Sequence, residues 1–136
     1  MSDKGLIPPH GGKLVNLVVD ATRRRTLEEA ARKLPRIKLP EREQCDLELL
    51  AVGAMSPLTT FMGQADFNGV CDRMRLASGL VWSMPVTCST DKATAGHIES
   101  GQQLVLTDDH DRMPMINRHA GHNGRVIRKA AVSVYL

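Results

Sequence analysis

Two histidines near the carboxyl end of the chain have the spacing of a triphosphate-binding motif. His119-Ala120-Gly121-His122 matches the H-x-G-H signature of nucleotide-binding folds that transfer adenylyl groups. In such sites the imidazoles bond the triphosphate and stabilise charge as pyrophosphate leaves, and a helix N-terminus also faces the phosphates. Residues 123–136 are too few to build the doubly wound sheet that supplies this setting. We therefore interpret the match as coincidental. A small adenylyltransferase built around these two histidines is the least favoured hypothesis for the function.

Two further polar clusters lack the spacing of a working site. Residues 8–13, Pro-Pro-His-Gly-Gly-Lys, are not a P-loop, because the G-x-x-x-x-G-K-[ST] spacing is absent and no clear strand precedes them. Asp108, Asp109 and Asp111 have carboxylates that bind cations in other settings, but the EF-hand pattern of oxygen ligands and glycine is missing. The sequence predicts a structural turn in the first case and a solvated hairpin tip in the second. No catalytic, cofactor-binding or metal-ligating residue is assigned.

The cysteines favour a reducing compartment. Cys45, Cys71 and Cys88 are an odd number at wide spacing, which indicates neither a disulfide framework nor a CxxC metal site. Unpaired thiols are typical of cytoplasmic proteins, so we predict a cytoplasmic location. All three are expected to be buried and unreactive.

Length and hydropathy predict one globular domain outside the membrane. A chain of 136 residues is long enough to bury about two thirds of the surface that its unfolded form exposes. No apolar run approaches the roughly 20 residues needed to span a bilayer. Residues 1–5 lack the apolar region of a signal peptide.

Positive charge is concentrated at the carboxyl end. Residues 112–136 contain five basic residues and no acidic one, whereas the rest of the chain has 13 basic and 15 acidic residues. Phosphate contacts made by such a tail would be weak and strongly salt-dependent. Tyr135 is the only aromatic residue there, so no stacking platform for single-stranded RNA is visible. RNA is therefore a minor candidate partner. The five basic residues are Arg112, Arg118, Arg125, Arg128 and Lys129.

Helical patterns come first along the chain and strand patterns follow. Residues 26–29 form a capping box, and a short helix is expected after them until Pro35. Pro40 is expected to open a second helix, and a third is expected from residue 65 to residue 74. The second helix should bury Leu47, Leu50, Ala51 and Ala54.

Strands are predicted mainly in the second half. Residues 7–19 begin as a turn and continue as a strand or packed extended piece. Residues 80–88 have a β-type pattern, residues 103–107 form a further strand, and residues 113–116 are expected to return antiparallel to it. Helices followed by strands indicate an α+β fold.

Three segments carry a family resemblance. They are residues 6–15, which contain Pro-Pro-His-Gly-Gly-Lys, residues 53–63, Gly-Ala-Met-Ser-Pro-Leu-Thr-Thr-Phe-Met-Gly, and residues 74–87, which contain Leu-Val-Trp-Ser-Met-Pro-Val. In this order they resemble the N-terminal domain of ATP sulfurylase (sulfate adenylyltransferase). The resemblance runs from about Leu6 to about Thr107, with departures at Met55 and Thr60.

The resemblance implies a fold and a division of the chain. The fold would be a PUA-like pseudo-barrel with short N-terminal helices, incomplete or divergent at its C-terminus. Residues 1–116 would form this domain, and residues 117–136 would be a divergent basic tail and the least ordered part of the chain. Phe61 and Trp82 are expected to be largely buried in it.

The same resemblance implies a function for the whole enzyme. The family makes adenosine 5′-phosphosulfate and pyrophosphate from ATP and sulfate, with Mg²⁺, and its catalytic signatures belong to a later domain. This chain would be the non-catalytic N-terminal domain or a fragment, with no cofactor of its own and a separately encoded catalytic domain as partner. Scaffolding, and a face on which that domain packs, would come from residues 56–58, Phe61, Trp82 and Pro85. The alternative is a stand-alone RNA-binding module of the PUA type.

Overall fold

Short helices and a small sheet alternate along the part of the chain that the structure describes. This structure is a computed structural model, and it describes residues 5–99, 102–110, 115–119 and 130–131. The elements, in chain order, are α1 (Ala21–Ala31), β1 (Arg36–Lys38), α2 (Glu41–Val52), α3 (Gln64–Arg73), α4 (Lys92–Gly96), β2 (Gln102–Thr107), β3 (Met115–His119) and β4 (Ala130–Ala131).

The four strands form one mixed sheet in the order β1-β2-β3-β4. β1 pairs parallel with β2, and Arg36 lies opposite Val105. β2 and β3 are antiparallel, and so are β3 and β4. The predicted α+β class and the returning strand after Asp108 are therefore confirmed.

Helices cover both faces of β2. Leu104 and Leu106 point into the main core beside α2 and α3, whereas Val105 packs with Ala31 of α1 on the other face. All three side chains are buried, because alternate residues of a strand point to opposite faces. This explains why the strand reads as a continuous apolar run.

The first helix begins earlier than the sequence indicated. Asp20 is its N-cap, and the Asp20 carboxylate accepts hydrogen bonds from the backbone N–H groups of Thr22 and Arg23. Thr26 lies inside the helix instead of capping it, and its hydroxyl bonds the Thr22 carbonyl. The capping-box prediction was wrong because the aspartate six residues earlier supplies the cap.

The predictions for the second and third helices are confirmed. Pro40 is the N-cap of α2, and Gly53 ends it in the left-handed region with a φ of 85°. α3 lies within one residue of its predicted bounds. Ala54, which was predicted on the buried face of α2, follows the helix and is exposed. The hydrophobic residues that α2 does bury are Leu47, Leu50 and Ala51.

Residues 80–88 do not form the predicted strand. Val81 makes one isolated bridge to Arg75. Elsewhere in the segment, Trp82 N–H donates to the Met74 carbonyl and the Val86 carbonyl accepts from Met62 N–H, and these separate bonds do not form a ladder. Pro85 has no N–H to donate to a ladder. Residues 14–19 form no strand either; they are an extended piece whose side chains alternate between exposed and half-buried.

Two of the three cysteines are not where the sequence placed them. Cys88 is buried, as predicted, but Cys45 on α2 and Cys71 on α3 are exposed. Burial raises the pKa of the Cys88 thiol, and the charge of nearby Glu43 raises it further. Cys88 therefore stays protonated and unreactive.

The proposed tail boundary falls within the sheet. β3 runs from Met115 to His119, across residue 117. The sequence prediction of low order for residues 117–136 lies mostly outside the described residues, so the division of the chain there stays a prediction.

Candidate functional site

The three segments that carry the resemblance meet in space. We name them the N-terminal segment (residues 6–15), the proline loop (residues 53–63) and the tryptophan segment (residues 74–87). Val15 N–H of the first donates to Ser56 Oγ of the second, over 2.9 Å. His10 Nε2 of the first lies 2.8 Å from the Val81 carbonyl oxygen of the third. The proline loop and the tryptophan segment join where Met62 N–H donates to the Val86 carbonyl, over 2.8 Å.

Gly53 is the point where the N-terminal segment crosses the end of α2. A Cβ atom on Gly53 would lie 1.9 Å from the Val15 carbonyl oxygen. Beside this crossing, Leu17 N–H donates to the Ala51 carbonyl over 2.9 Å. Glycine is needed here twice, for the left-handed turn and for the close approach of two backbones.

Ser56 links the proline loop to the N-terminal segment. Its hydroxyl donates to the Gly53 carbonyl over 2.6 Å and accepts from Val15 N–H, and the side chain is buried. The Ser56–Pro57 peptide bond is cis. The one hydroxyl therefore satisfies a backbone group of its own loop and one of Val15, which is 41 residues away in sequence.

The scaffold residues differ in burial. Phe61 is 1% exposed and lies in the main core, as predicted. Trp82 is partly buried and packs against the same core, with its ring centroid 6.1 Å from that of His10, so most of the tryptophan is buried but less completely than Phe61. Leu58 is buried and Pro85 is exposed.

A buried carboxylate that the sequence did not reveal joins α2 to the segment after Cys88. Glu43 on α2 is 1% exposed, and its two oxygens accept from Ser89 N–H over 2.9 Å and from Ser89 Oγ over 2.5 Å. Arg42 lies 3.9 Å away from one of these oxygens. A glutamate in the first turn of a helix suits the helix dipole, and no local pattern singles out Glu43 further. Its role as an anchor for the segment after Cys88 depends on a partner 46 residues away.

Glu43→Gln is expected to lower the free energy of unfolding by about 1–3 kcal/mol, because the amide keeps the shape but offers one acceptor oxygen where Ser89 needs two. Urea denaturation measures the change. Glu41→Gln, at an exposed position on the same helix, is the matched control and should leave stability unchanged. Equal stability of the two variants would contradict the anchoring role.

The turn at residues 8–13 closes on itself. Gly12 N–H donates to the Pro9 carbonyl over 2.8 Å, and a Cβ atom on Gly11 would lie 3.1 Å from the ring of Pro57. Residues 14–20 follow without a helix, so the turn does not lead into a helix N-terminus as a phosphate loop does. The geometry therefore supports the structural interpretation over a phosphate loop.

The acidic tip after β2 is solvated. Asp108 accepts from His110 N–H over 2.9 Å, as turn-forming aspartates do. Asp109 Oδ1 lies 2.8 Å from Lys38 Nζ, and both side chains are more than 60% exposed. The hydrogen bond and charge of Asp109 raise the pKa of Lys38. Asp111 lies outside the described residues.

The histidine pair is only partly described. His119 ends β3, with its Cα opposite those of Gln102 and Ala130, and His122 lies outside the described residues. Within the residues that the structure places, no group of three or more His, Cys, Asp or Glu side chains has the arrangement of a metal site. Among the same residues, no helix has the length and apolar character needed to cross a membrane.

Comparison with known proteins assigns the fold. The profile of a family described as PUA-like domain matches residues 7–128. The chain belongs to the PUA-like domain family. This finding agrees with the α+β architecture, its helices and its small sheet.

Several curated sulfate adenylyltransferases share this PUA-like domain. The enzyme of Symbiobacterium thermophilum is 46% identical over 114 residues, which cover 84% of this chain and 29% of that protein. The enzyme of Desulforamulus reducens is 50% identical over 104 residues, or 76% of this chain and 27% of that protein. The resemblance read from the three segments is thus confirmed. The chain spans less than a third of the length of these relatives.

A solved structure shares the fold. The hexameric APS kinase from Thiobacillus denitrificans superposes with a TM-score of 0.78 at 33% sequence identity. The match covers 95% of this chain and 27% of that one. The PUA-like domain described here therefore corresponds to one part of a longer chain in this case too.

Proposed function

We propose that this chain is the non-catalytic, N-terminal PUA-like domain of a sulfate adenylyltransferase. The observation that carries the proposal is that the three segments resembling the family contact one another. The N-terminal segment and the proline loop meet at Gly53 and Ser56, and the tryptophan segment joins them through the carbonyls of Val81 and Val86. Residues that resemble the family in sequence therefore hold one another in place, which is what a scaffold requires. The identity of 46% and 50% to the sulfate adenylyltransferases of Symbiobacterium thermophilum and Desulforamulus reducens supports the same conclusion.

In the proposed role the reaction takes place on another part of the enzyme. That part converts ATP and sulfate to adenosine 5′-phosphosulfate and pyrophosphate and binds ATP and Mg²⁺. This domain contributes a rigid support for it, and its partner is the catalytic domain. We place the protein in the cytoplasm, consistent with its unpaired cysteines.

The finer features of the fold belong to the same proposal. Residues 1–116 form the PUA-like domain, whose sheet curves into a pseudo-barrel, and residues 117–136 are a divergent basic tail. RNA is the alternative partner, bound through phosphate contacts of basic residues as a stand-alone module of the PUA type.

The purified chain is expected to form no ATP from adenosine 5′-phosphosulfate and pyrophosphate. The reason is that the Q-x-R-N-P and G-R-D type signatures of the family's catalytic domain have no counterpart in this sequence. A luciferase-coupled assay measures ATP directly. Turnover above the buffer level that disappears in both His119→Ala and His122→Ala would contradict the proposal, because the histidine pair would then be catalytic.

A further inference from the structure

Helix α2 is apolar on its solvent side as well as on its core side. Cys45, Leu49 and Val52 follow one another at i, i+4 and i+7, so they form a stripe along one face. Cys45 is exposed, Leu49 is 41% exposed and Val52 is 56% exposed. A helix that packs on one core has a polar opposite face in most globular proteins. The stripe is therefore unusual for a helix with water on that side.

The segment that crosses the end of α2 enlarges this stripe. Leu14 is 59% exposed, and its Cδ1 lies 3.1 Å from the position of a Cβ on Gly53, next to Val52. Val18 is 50% exposed and follows Leu17, whose N–H bonds the Ala51 carbonyl. These contacts bring Leu14 and Val18 to the C-terminal end of α2, where Val52 lies. We call the five residues Leu14, Val18, Cys45, Leu49 and Val52 the α2 face.

Three of the residues expected to form a packing face lie inside the domain. Ser56, Leu58 and Phe61 are buried, so they stabilise the domain from within, whereas Pro85 is exposed. An exposed apolar patch on a small domain marks an interaction site more often than scattered apolar residues do. In the α2 face, Leu14 and Val52 lie beside the Gly53 crossing, which joins the N-terminal segment to the proline loop.

We propose that the α2 face is the surface on which the remainder of a sulfate adenylyltransferase docks. This inference rests on the proposed function. The remainder of the enzyme is the occupant because more than two thirds of the length of each relative lies outside the stretch that this chain matches. The exposed side chains of Glu41, Glu48 and Arg42 border the stripe. The docked surface should accordingly be apolar at its centre and carry charges of both signs at its edge.

The two exposed cysteines provide a test within the protein. In a chimera, this chain replaces the 114-residue stretch of the Symbiobacterium thermophilum enzyme that it matches. Alkylation of each cysteine is followed by peptide mass spectrometry in the free chain and in the chimera. Cys45 should react about tenfold more slowly in the chimera, since docking removes it from solvent, whereas Cys71 on α3 should react at the same rate in both.

Charge substitutions separate docking from folding. Leu49→Lys and Val52→Lys should leave the melting temperature of the free chain unchanged, because both side chains face water there. In the chimera they should lower adenylyltransferase activity about tenfold or more, since a lysine buried without a partner opposes docking. Met84→Lys is the comparison, because Met84 is 65% exposed on the tryptophan segment, beside Trp82 and Pro85, and it should change neither. Lower chimera activity in Met84→Lys but not in Leu49→Lys or Val52→Lys would assign docking to the tryptophan segment and overturn the inference.

Every other outcome contradicts the docking inference, the proposed function or both. An active chimera in which Cys45 reacts as fast as in the free chain overturns the docking inference and leaves the proposed function standing. A lower melting temperature of the free chain with Leu49→Lys and Val52→Lys shows that the α2 face is already covered within the domain. This result also overturns the docking inference. A free chain that dimerises by sedimentation, and that becomes monomeric in Leu49→Lys, assigns the face to a second copy instead. A folded but inactive wild-type chimera contradicts the proposed function and the inference together.

Discussion

Phe61→Ala is expected to lower the free energy of unfolding by about 3–5 kcal/mol, the usual cost of removing a buried aromatic side chain. Phe61 is 1% exposed in the main core, where it fills the space under the proline loop. Chemical denaturation measures the change. Since small domains are stable by only about 5–15 kcal/mol, the variant should be close to unfolding at ambient temperature.

Trp82→Ala provides the comparison for this prediction. Trp82 is partly buried, so its removal should cost clearly less than that of Phe61 even though the tryptophan is larger. A cost for Trp82→Ala equal to or above that for Phe61→Ala would show that the tryptophan segment, and not the proline loop, anchors the domain.

Gly53→Ala is expected to lower the free energy of unfolding by about 2–5 kcal/mol, the sum of a left-handed backbone strain and a steric overlap. The overlap is with the Val15 carbonyl oxygen, 1.9 Å from the new Cβ. Because the obstacle is backbone, no change of side-chain rotamer relieves it, and the N-terminal segment must move away from α2. Hydrogen exchange at the amides of Val15 and Leu17 should accelerate.

Gly79→Ala measures the cost of the left-handed backbone strain without the steric overlap. Gly79 has a φ of 89°, close to that of Gly53, but a Cβ there would meet no atom within 4 Å. Its replacement should therefore cost only about 1–2 kcal/mol and leave exchange at Val15 unchanged. Equal costs for the two variants would contradict the view that the Gly53 crossing holds the N-terminal segment.

Local signals in the sequence were sufficient for several elements. Pro40 at the start of α2, with Leu47, Leu50 and Ala51 at helical spacing after it, predicted where that helix begins and which face it buries, because both depend on neighbours in sequence. The same holds for α3 and for β2. The order of the N-terminal segment, the proline loop and the tryptophan segment indicated the family from sequence alone, and the comparisons confirm it.

Competing local signals led to the errors. Residues 26–29 have the pattern of a capping box, yet Asp20 takes the cap because its carboxylate reaches two N–H groups. Residues 80–88 have the composition of a strand, but a strand needs a neighbour for its ladder, and the backbone partners of Trp82 and Val86 are single groups on loops. Composition alone does not show which partner is present.

The tertiary structure decided everything that depends on contacts between distant segments. It buried Glu43 beside Ser89, exposed Cys45 and Cys71, and brought Val15 against Gly53. The amino-acid sequence by itself determined the start of α2, the bounds of α3 and the family, because those follow from residue type and spacing. Which apolar face meets the core and which meets water depends on how the chain closes on itself. For α2, that closure left Leu49 and Val52 in solvent.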